Sequence, residues 1–120
     1  MKGMVCNEKV INWKDVNPEQ VPEDKAKGTT IRWIFKHGET PTFLMRIFEV
    51  EPGGEIYDHS HPWEHEIFIL SGKGVIRIDG REYEVKEGDA IYIPPCKTHY
   101  YKNTGDDVLR FICLIPKEGK

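Results

Sequence analysis

The chain has 120 residues, of which 17 are basic and 20 acidic, with a formal net charge of −3 and a mean hydropathy of −0.56. A chain of this length builds one domain, and its weak charge gives no reason to expect nucleic acid or an anionic membrane as a partner. No run approaches the ~18 apolar residues of a membrane-spanning helix. Cys6, Cys96 and Cys113 are odd in number and have no C-x-x-C spacing, which favours a reduced, cytoplasmic protein.

The first part of the chain is irregular in pattern. We expect residues 1–28 to form an N-terminal segment and residues 29–120 to form the main domain. Residues 10–13 have the composition of a short strand, while residues 15–24 are polar and interrupted by prolines. Because a strand without a sheet of its own must be covered, we expect this segment to pair with a second copy in a homodimer.

From Thr29 onward the pattern is that of β-structure. Short segments rich in β-branched and aromatic residues alternate with turn residues, and no segment of ten or more residues has a helical stripe. Asp79-Gly80 predicts a tight hairpin, since both residues tolerate a positive φ. Many short strands at regular spacing predict an all-β sandwich or barrel. The expected strands cover residues 29–35, 43–50, 55–61, 65–70, 75–78, 82–85, 90–93, 98–103 and 108–115.

Three of the five histidines lie within seven residues. His59 and His61 are separated by one residue, and alternate residues of a strand project to the same face. A short break at residues 62–64 lets the next strand bring His65 to the same point, and His99 is a fourth candidate downstream. Converging neutral imidazoles predict a site for a divalent transition metal.

The spacing of these histidines resembles the cupin family. Residues 53–72 follow the first cupin motif, G-x5-H-x-H-x(3,4)-E-x6-G, except at the glutamate. Residues 88–103 follow the second motif, G-x5-P-x-G-x2-H-x3-N, except that Cys96 stands where the motif has glycine. The resemblance implies a double-stranded β-helix, the jelly-roll or cupin barrel.

The glutamate position of the first motif leaves two ligand sets to consider. Counting three residues after His61 reaches His65 and then, after six more, Gly72; counting four reaches Glu66, but no glycine follows at the right distance. Strand alternation also sends Glu66 to the face opposite His65. We therefore interpret the metal ligands as His59, His61, His65 and His99, with Glu66 as the alternative to His65.

Resemblance to the small cupins that hold a metal with four histidines implies one divalent ion. Manganese or iron is the expected metal, with zinc, nickel and copper as alternatives. The same resemblance makes Arg46, Phe111 and Cys113 candidates for the pocket wall. A guanidinium beside a metal is suited to holding a substrate carboxylate through two hydrogen bonds.

Strand alternation extends the expected pocket. If His99 faces inward, so do Tyr101 and Asn103. If His59 faces inward, so does Tyr57, while Ile56 faces outward unless a bulge intervenes.

Four neutral ligands leave two positions of an octahedral ion open and keep its full positive charge, which favours an anionic or bidentate oxygen ligand. Our first hypothesis is a metal-dependent oxidoreductase, dioxygenase-like, that acts on a small organic substrate. The alternatives are a non-redox metalloenzyme (an isomerase, lyase or decarboxylase) and a non-catalytic module that binds a metal or a small molecule. A cupin fold alone does not decide between them, because one fold hosts many chemistries.

Overall fold

The computed structural model of the chain describes residues 6–119, so the start of the expected N-terminal segment and Lys120 lie outside the described residues. Within this range, no helix is long and apolar enough to cross a membrane. Short 3-10 helices lie at Trp13–Asp15 and Lys117–Gly119. The strands are β1 (Glu19–Gln20), β2 (Ala26–Phe35), β3 (Phe43–His59), β4 (His65–Ser71), β5 (Lys73–Ile78), β6 (Arg81–Lys86), β7 (Ala90–Ile93), β8 (His99–Asn103) and β9 (Leu109–Pro116).

One long strand, β3, joins the two halves of the sheet. Its first half pairs antiparallel with β9 and its second half with β8, while β2 lies along its other edge. From β9 the sheet continues to β4 and β7, and from β8 it continues to β5 and β6. The antiparallel sheet therefore curls into a jelly-roll barrel, and the predicted fold class is confirmed.

The sequence predicted a break in β3 at residues 52–54, but the structure keeps one strand of 17 residues through this point. Gly54 lies where β3 passes close to β2, since a Cβ there would approach the carbonyl oxygen of Lys27 to 2.7 Å. A glycine lets the two backbones approach where any other residue would push them apart. The strand bends without ending because its pairing to β2 resumes on both sides of the irregularity.

The core lies inside the barrel and follows the alternation of side chains along the strands. On β9, Leu109, Phe111, Cys113 and Ile115 are each at most 2% exposed, while the residues between them are only half-buried. Alternate residues of β8 are buried in the same way. These inward side chains supply most of the hydrophobic stabilisation.

The N-terminal segment does not form the strand expected at residues 10–13. Trp13–Asp15 is a 3-10 helix instead, and the Asn12 side chain accepts a hydrogen bond of 2.9 Å from the Lys14 backbone N–H at its start. Capping by asparagine competes with strand formation here, which is the reason for the difference. The strand of this segment is β1, which pairs with β2 of the same chain.

A cluster of charges attaches this segment to the outside of the barrel. Glu49 accepts hydrogen bonds from Nε of Arg32 at 2.9 Å and from Nε of Arg110 at 2.8 Å. Both guanidinium groups face the Trp13 ring, at 5.0 and 4.6 Å from its centroid, and Arg32 also donates to the Val16 carbonyl oxygen. Burial alone would raise the pKa of Glu49, but the two arginines outweigh it and the pKa lies below its ordinary value. The segment is therefore held by paired charges and cation–π contacts.

Two turns adopt left-handed backbone conformations. Asp79 and Gly80 have φ values of 48° and 83°, as the hairpin prediction required. Cys96 has a φ of 67°, although only glycine adopts this conformation without strain. The backbone N–H of Cys96 donates a 2.6 Å hydrogen bond to the His61 carbonyl oxygen. The strained turn thus anchors the loop that carries His61.

Replacing Cys96 by glycine is expected to stabilise the protein. A left-handed conformation costs an L-residue about 1–2 kcal/mol, and the extra freedom of glycine in the unfolded chain cancels about half of that gain. We expect Cys96→Gly to raise the free energy of unfolding by roughly 0.5–1 kcal/mol in urea titrations. Cys96→Ala is the matched control, because alanine retains the strain and should leave stability close to that of the wild type. Equal stability of the two variants would contradict the prediction.

Candidate metal centre

Four histidines from three strands and one loop meet inside the barrel. His59 is the last residue of β3 and His99 the first of β8, and the two are direct partners across these strands. His65 begins β4, and His61 lies in the loop between β3 and β4. His59 and His99 are 40 positions apart in the sequence, and they are neighbours because β3 and β8 are paired.

The imidazole rings lie close together. One nitrogen from each of His59, His61 and His99 lies within 4.8 Å of the others. The ring centroid of His65 is 4.7 Å from that of His99 and 5.4 Å from that of His61. The structure thus groups three histidines tightly enough to share one ion and places the fourth against them.

Hydrogen bonds define the tautomers of two of these rings. Nδ1–H of His59 donates to the Tyr57 carbonyl oxygen at 2.7 Å, and Nδ1–H of His99 donates to the Lys97 carbonyl oxygen at 2.9 Å. Because a carbonyl only accepts, each Nε2 carries a lone pair. Backbone acceptors on the second ring nitrogen are the usual way in which metal-binding histidines are oriented.

Two imidazole nitrogens are buried with no hydrogen-bond partner among the described residues. They are Nε2 of His99 and Nδ1 of His65, in side chains that are only 1% and 3% exposed. An unpaired polar atom in the interior is costly unless something satisfies it. A metal ion bound by the imidazole lone pairs fits this cluster.

The histidines resist protonation. Burial lowers the pKa of His61 to about 4, of His65 to about 3 and of His99 to about 4, and it also lowers the pKa of His59. Burial is the largest cause; the positive charge of Arg46 contributes to the lowering of all four pKa values, and neighbouring imidazoles contribute for three of them. The rings are therefore neutral, the form that binds metals, well below neutral pH.

The structure separates Glu66 from this cluster. Glu66 is exposed on β4, between the buried residues His65 and Ile67. The alternation of the strand therefore places its carboxylate on the outer face of the sheet, as predicted.

Arg46 is the pocket candidate that lines the cavity beside the histidines. Its guanidinium lies 4.9 Å from the ring centroid of Phe48 and 5.6 Å from that of Trp33. Its Nη2 donates to Sγ of Cys113 at 2.9 Å, while its buried Nε has no partner among the described residues. No carboxylate of the described chain pairs with Arg46, in contrast to Arg32 and Arg110.

Phe111 and Cys113 lie behind the cavity wall rather than on it. Phe111 stacks between Phe48 and Tyr101, with centroid distances of 5.4 and 5.2 Å. Cys113 is 1% exposed, and burial raises the pKa of its thiol. Phe111 thus supports the wall at Phe48, and Cys113 holds the guanidinium of Arg46.

The cavity has a volume of about 450 Å³. Its polar lining includes three of the four histidines and Arg46, and its apolar lining includes Trp33, Phe48 and Trp63. Residues of β1 and the turn after it complete the wall, among them Val21 and Lys25. The backbone N–H of Tyr57 donates a hydrogen bond to the Lys25 carbonyl oxygen at 3.0 Å, which holds this turn against β3, the strand that ends in His59. The N-terminal segment therefore forms part of the site.

Sequence reasoning missed several of these wall residues. Phe48 is two residues after Arg46 on the same strand, so alternation was a usable signal for it. Trp33 is the partner of Arg46 across β2 and β3, which requires knowledge of the pairing. Trp63 lies in the loop that carries His61. Its ring stacks on the His61 ring, with centroids 4.5 Å apart and an interplanar angle of 6°, and it also lines the cavity.

The alternation expected around His59 is inverted by an irregularity. Ile56 is buried at 6% exposure, the reverse of the simple prediction, whereas Tyr57 is 36% exposed and lines the cavity. The pairing of β3 with β8 shifts register between Ile56 and His59, which adds a residue to one strand and reverses the facing of those before it. His99, Tyr101 and Asn103 are buried as predicted.

Comparison with known proteins places this geometry in a family. The Cupin_2 model, described as a cupin domain, matches residues 46–115. An oxalate-binding protein of Thermotoga maritima is 34% identical over 111 residues, which cover 88% of this chain and 92% of that protein. An uncharacterised protein of Methanocaldococcus jannaschii is 40% identical over 65 residues, and the match spans 53% of this chain but only 52% of that relative.

A solved structure extends the likeness to three dimensions. The polyketide cyclase RemF of Streptomyces resistomycificus superposes with a TM-score of 0.85 at 34% identity, covering 92% of this chain and 80% of that one. The fold and the site together define the class of protein, which is a β-barrel with histidines clustered inside it. The chain belongs to the cupin family.

Removing His65 tests whether it is a fourth ligand. We expect the wild type to bind about one divalent metal ion per chain and His65→Ala to bind it at least tenfold more weakly, because one ligand is lost. Glu66→Ala is the matched control and should bind the metal as the wild type does. Elemental analysis after dialysis against graded chelator concentrations measures the change. Metal retained by His65→Ala but lost by Glu66→Ala would return the carboxylate to the ligand set.

The pKa values of the histidines predict how acid acts on the metal-free protein. Unfolded histidine has a pKa of about 6.5, whereas those of folded His61, His65 and His99 lie at about 4, 3 and 4. The unfolded state therefore binds more protons between these limits, so stability that is complete above pH ~6.5 is lost as the pH falls toward ~4. His65→Gln should weaken this dependence between pH 7 and 5, and exposed His37→Gln should not. Thermal unfolding of chelator-treated protein measures it; identical pH profiles for wild type and His65→Gln would contradict the assignment.

Proposed function

We propose that the protein is a metal-dependent oxidoreductase, dioxygenase-like, that acts on a small organic anion. The observation that carries the proposal is the cavity in which a cluster of neutral imidazoles faces a guanidinium without a carboxylate partner. The imidazoles would bind a metal cation, and the guanidinium would bind an anion beside it. A structural metal site would instead be closed on all sides by protein ligands.

The ligand set would be His59, His61 and His99, with His65 as the fourth. Backbone hydrogen bonds orient His59 and His99, so two ligands are held before any metal binds. Manganese or iron is the proposed metal; either supplies Lewis acidity and, with oxygen, redox chemistry when bound. Neutral ligands leave the charge of the ion uncompensated, which favours an anionic substrate oxygen beside it.

Arg46 would bind the substrate carboxylate. Its Nη2 is held by Cys113 and its guanidinium lies near the rings of Trp33 and Phe48, so the side chain is oriented before the substrate arrives. A charge-assisted hydrogen bond to an ionised group contributes about 1.5–3 kcal/mol, more than a neutral one. The surrounding aromatic walls exclude water and strengthen this electrostatic interaction.

A non-redox reaction is the second candidate, as an isomerase, lyase or decarboxylase. Four neutral ligands make the ion harder to oxidise than a set that includes a carboxylate would, which favours chemistry that only polarises substrate oxygens. Two of the similar proteins, an oxalate-binding protein and a polyketide cyclase, have names that describe no oxidation. Another, a 5-nitrosalicylic acid 1,2-dioxygenase, is named for one, so the names do not favour either candidate.

Oxygen consumption by defined metal forms separates the two candidates. We expect protein loaded with manganese or iron to consume oxygen with a panel of small organic acids, and zinc-loaded protein to consume none. Arg46→Gln should lower kcat/KM about 10- to 100-fold, the loss of one charge-assisted hydrogen bond. Arg81→Gln, at an exposed position of the β5–β6 hairpin, is the matched control and should be unchanged.

Other outcomes of the same assay decide against the oxidative reaction. Turnover by zinc-loaded protein without oxygen would support the second candidate. Tight binding of an acid with no turnover by any metal form would leave a binding module.

A further inference from the structure

The four histidines of the candidate metal centre are not supported equally. His59, His65 and His99 each lie at an end of a strand, and backbone carbonyl oxygens orient the rings of His59 and His99. The ring of His65 has no such hydrogen bond, but its side chain is enclosed at 3% exposure. His61 lies in the loop between β3 and β4, is only half-buried, and has no ring hydrogen bond to any described residue. Its ring therefore needs another support if it is to be in place before a metal binds.

Trp63 provides the contact that the His61 ring otherwise lacks. The two rings are stacked, with centroids 4.5 Å apart and an interplanar angle of 6°. The indole is itself held in place, because it packs against the hydrophobic core cluster of the barrel. Aromatic pairs stabilise an arrangement beyond the apolar area that they bury. Trp63 thus connects a half-buried ring on a loop to the packed interior.

The stacking leaves the nitrogens of His61 available. An imidazole binds a metal ion through a nitrogen lone pair in the plane of its ring, whereas Trp63 contacts the face of the ring. The rings of His59 and His99 meet that of His61 at steep angles of 60° and 65°. One nitrogen from each of these three histidines lies within 4.8 Å of the others. Contact with Trp63 is therefore compatible with metal binding by His61.

A backbone hydrogen bond holds the loop at His61 but does not orient the ring. The backbone N–H of Cys96 donates to the His61 carbonyl oxygen at 2.6 Å. That hydrogen bond does not restrict rotation about the side-chain bonds of His61, and the rotamers of a half-exposed side chain interchange rapidly. Stacking on Trp63 restricts this rotation, because a turned ring would lose the parallel contact.

We infer that Trp63 is a positioning residue of the metal centre, which holds the His61 ring in the orientation that binds the ion. The inference rests on the proposed function in one respect, since it assumes that His61 is a metal ligand. A side chain that is already oriented loses less conformational freedom when the ion binds. Loss of the stacked indole therefore weakens metal binding although every ligand is still present.

Cobalt binding by Trp63 variants tests the inference without requiring turnover. Co²⁺ is the probe because its visible absorption reports the geometry of its ligands, and competition with a chelator gives its Kd. We expect Trp63→Leu to raise the Kd about three- to tenfold, the effect of one aromatic pair. Trp63→Phe keeps an aromatic face against His61 and should bind Co²⁺ nearly as the wild type does. Trp63→Met is a second non-aromatic replacement should Trp63→Leu fold poorly.

Trp13→Leu is the matched control for a general loss of stability. It makes the same change at a tryptophan whose ring contacts Arg32 and Arg110 on the outside of the barrel. Both leucine variants remove a large apolar side chain and should lower the Tm of the metal-free protein. Trp13→Leu should nevertheless keep the wild-type Kd and absorption spectrum of bound Co²⁺, whereas Trp63→Leu should change both.

The metal-free protein offers a separate readout of the His61 ring. In NMR spectra of the imidazole nitrogens, we expect one sharp set of His61 signals in the wild type. Trp63→Leu should broaden or multiply these signals, because rotamers that the indole excludes become populated. Trp13→Leu should leave them sharp.

The outcomes distinguish failure of the inference from failure of the proposed function. Equal Kd values for Co²⁺ in the wild type and Trp63→Leu overturn the inference and leave the metal-dependent function standing. Weakening by Trp63→Phe as large as that by Trp63→Leu also overturns it, because stacking would then not be the cause. Wild-type protein that binds no Co²⁺ contradicts the proposed function itself, and the imidazole signals then decide alone whether Trp63 holds the ring.

Discussion

The pairing of β3 with β8 is the interaction on which the candidate site depends. It sets His59 directly opposite His99, and it does so at the end of a strand whose other half pairs with β9. The same strand carries Arg46 and Phe48 in that first half, so one continuous backbone contributes a candidate ligand, the guanidinium and part of the aromatic wall. A shift of one residue in either pairing would turn these side chains to the other face.

The electrostatics of the cluster follow from this packing. Burial and the positive charge of Arg46 both lower the pKa values of the imidazoles. The imidazoles therefore do not take up protons readily. The arrangement is costly to the protein without a bound ion, because buried nitrogens of His65 and His99 have no partner among the described residues. Sites that store such a cost are commonly functional.

The N-terminal segment packs on the outside of the barrel and also forms part of the cavity wall. Trp13 and the cluster of Arg32, Arg110 and Glu49 hold it on the outside of the sheet. Its continuation through β1 and the following turn forms a wall of the cavity. The Lys25 carbonyl oxygen in that turn accepts a hydrogen bond from the backbone N–H of Tyr57 on β3. The segment that looked separate from the domain in the sequence is thus part of the cavity wall.

The sequence alone determined the family, the all-β fold class and the grouping of histidines, because spacing in strands and motif positions are local properties. It also predicted the outward position of Glu66 and the inward residues of β8 by alternation. Only the tertiary structure decided which side chains face the histidines. The register shift between Ile56 and His59, the pairing of Trp33 with Arg46 and the return of β1 over the cavity all arise from contacts between distant residues. Such contacts leave no periodic signal in the sequence, because they depend on how strands pair and not on how residues alternate along one strand.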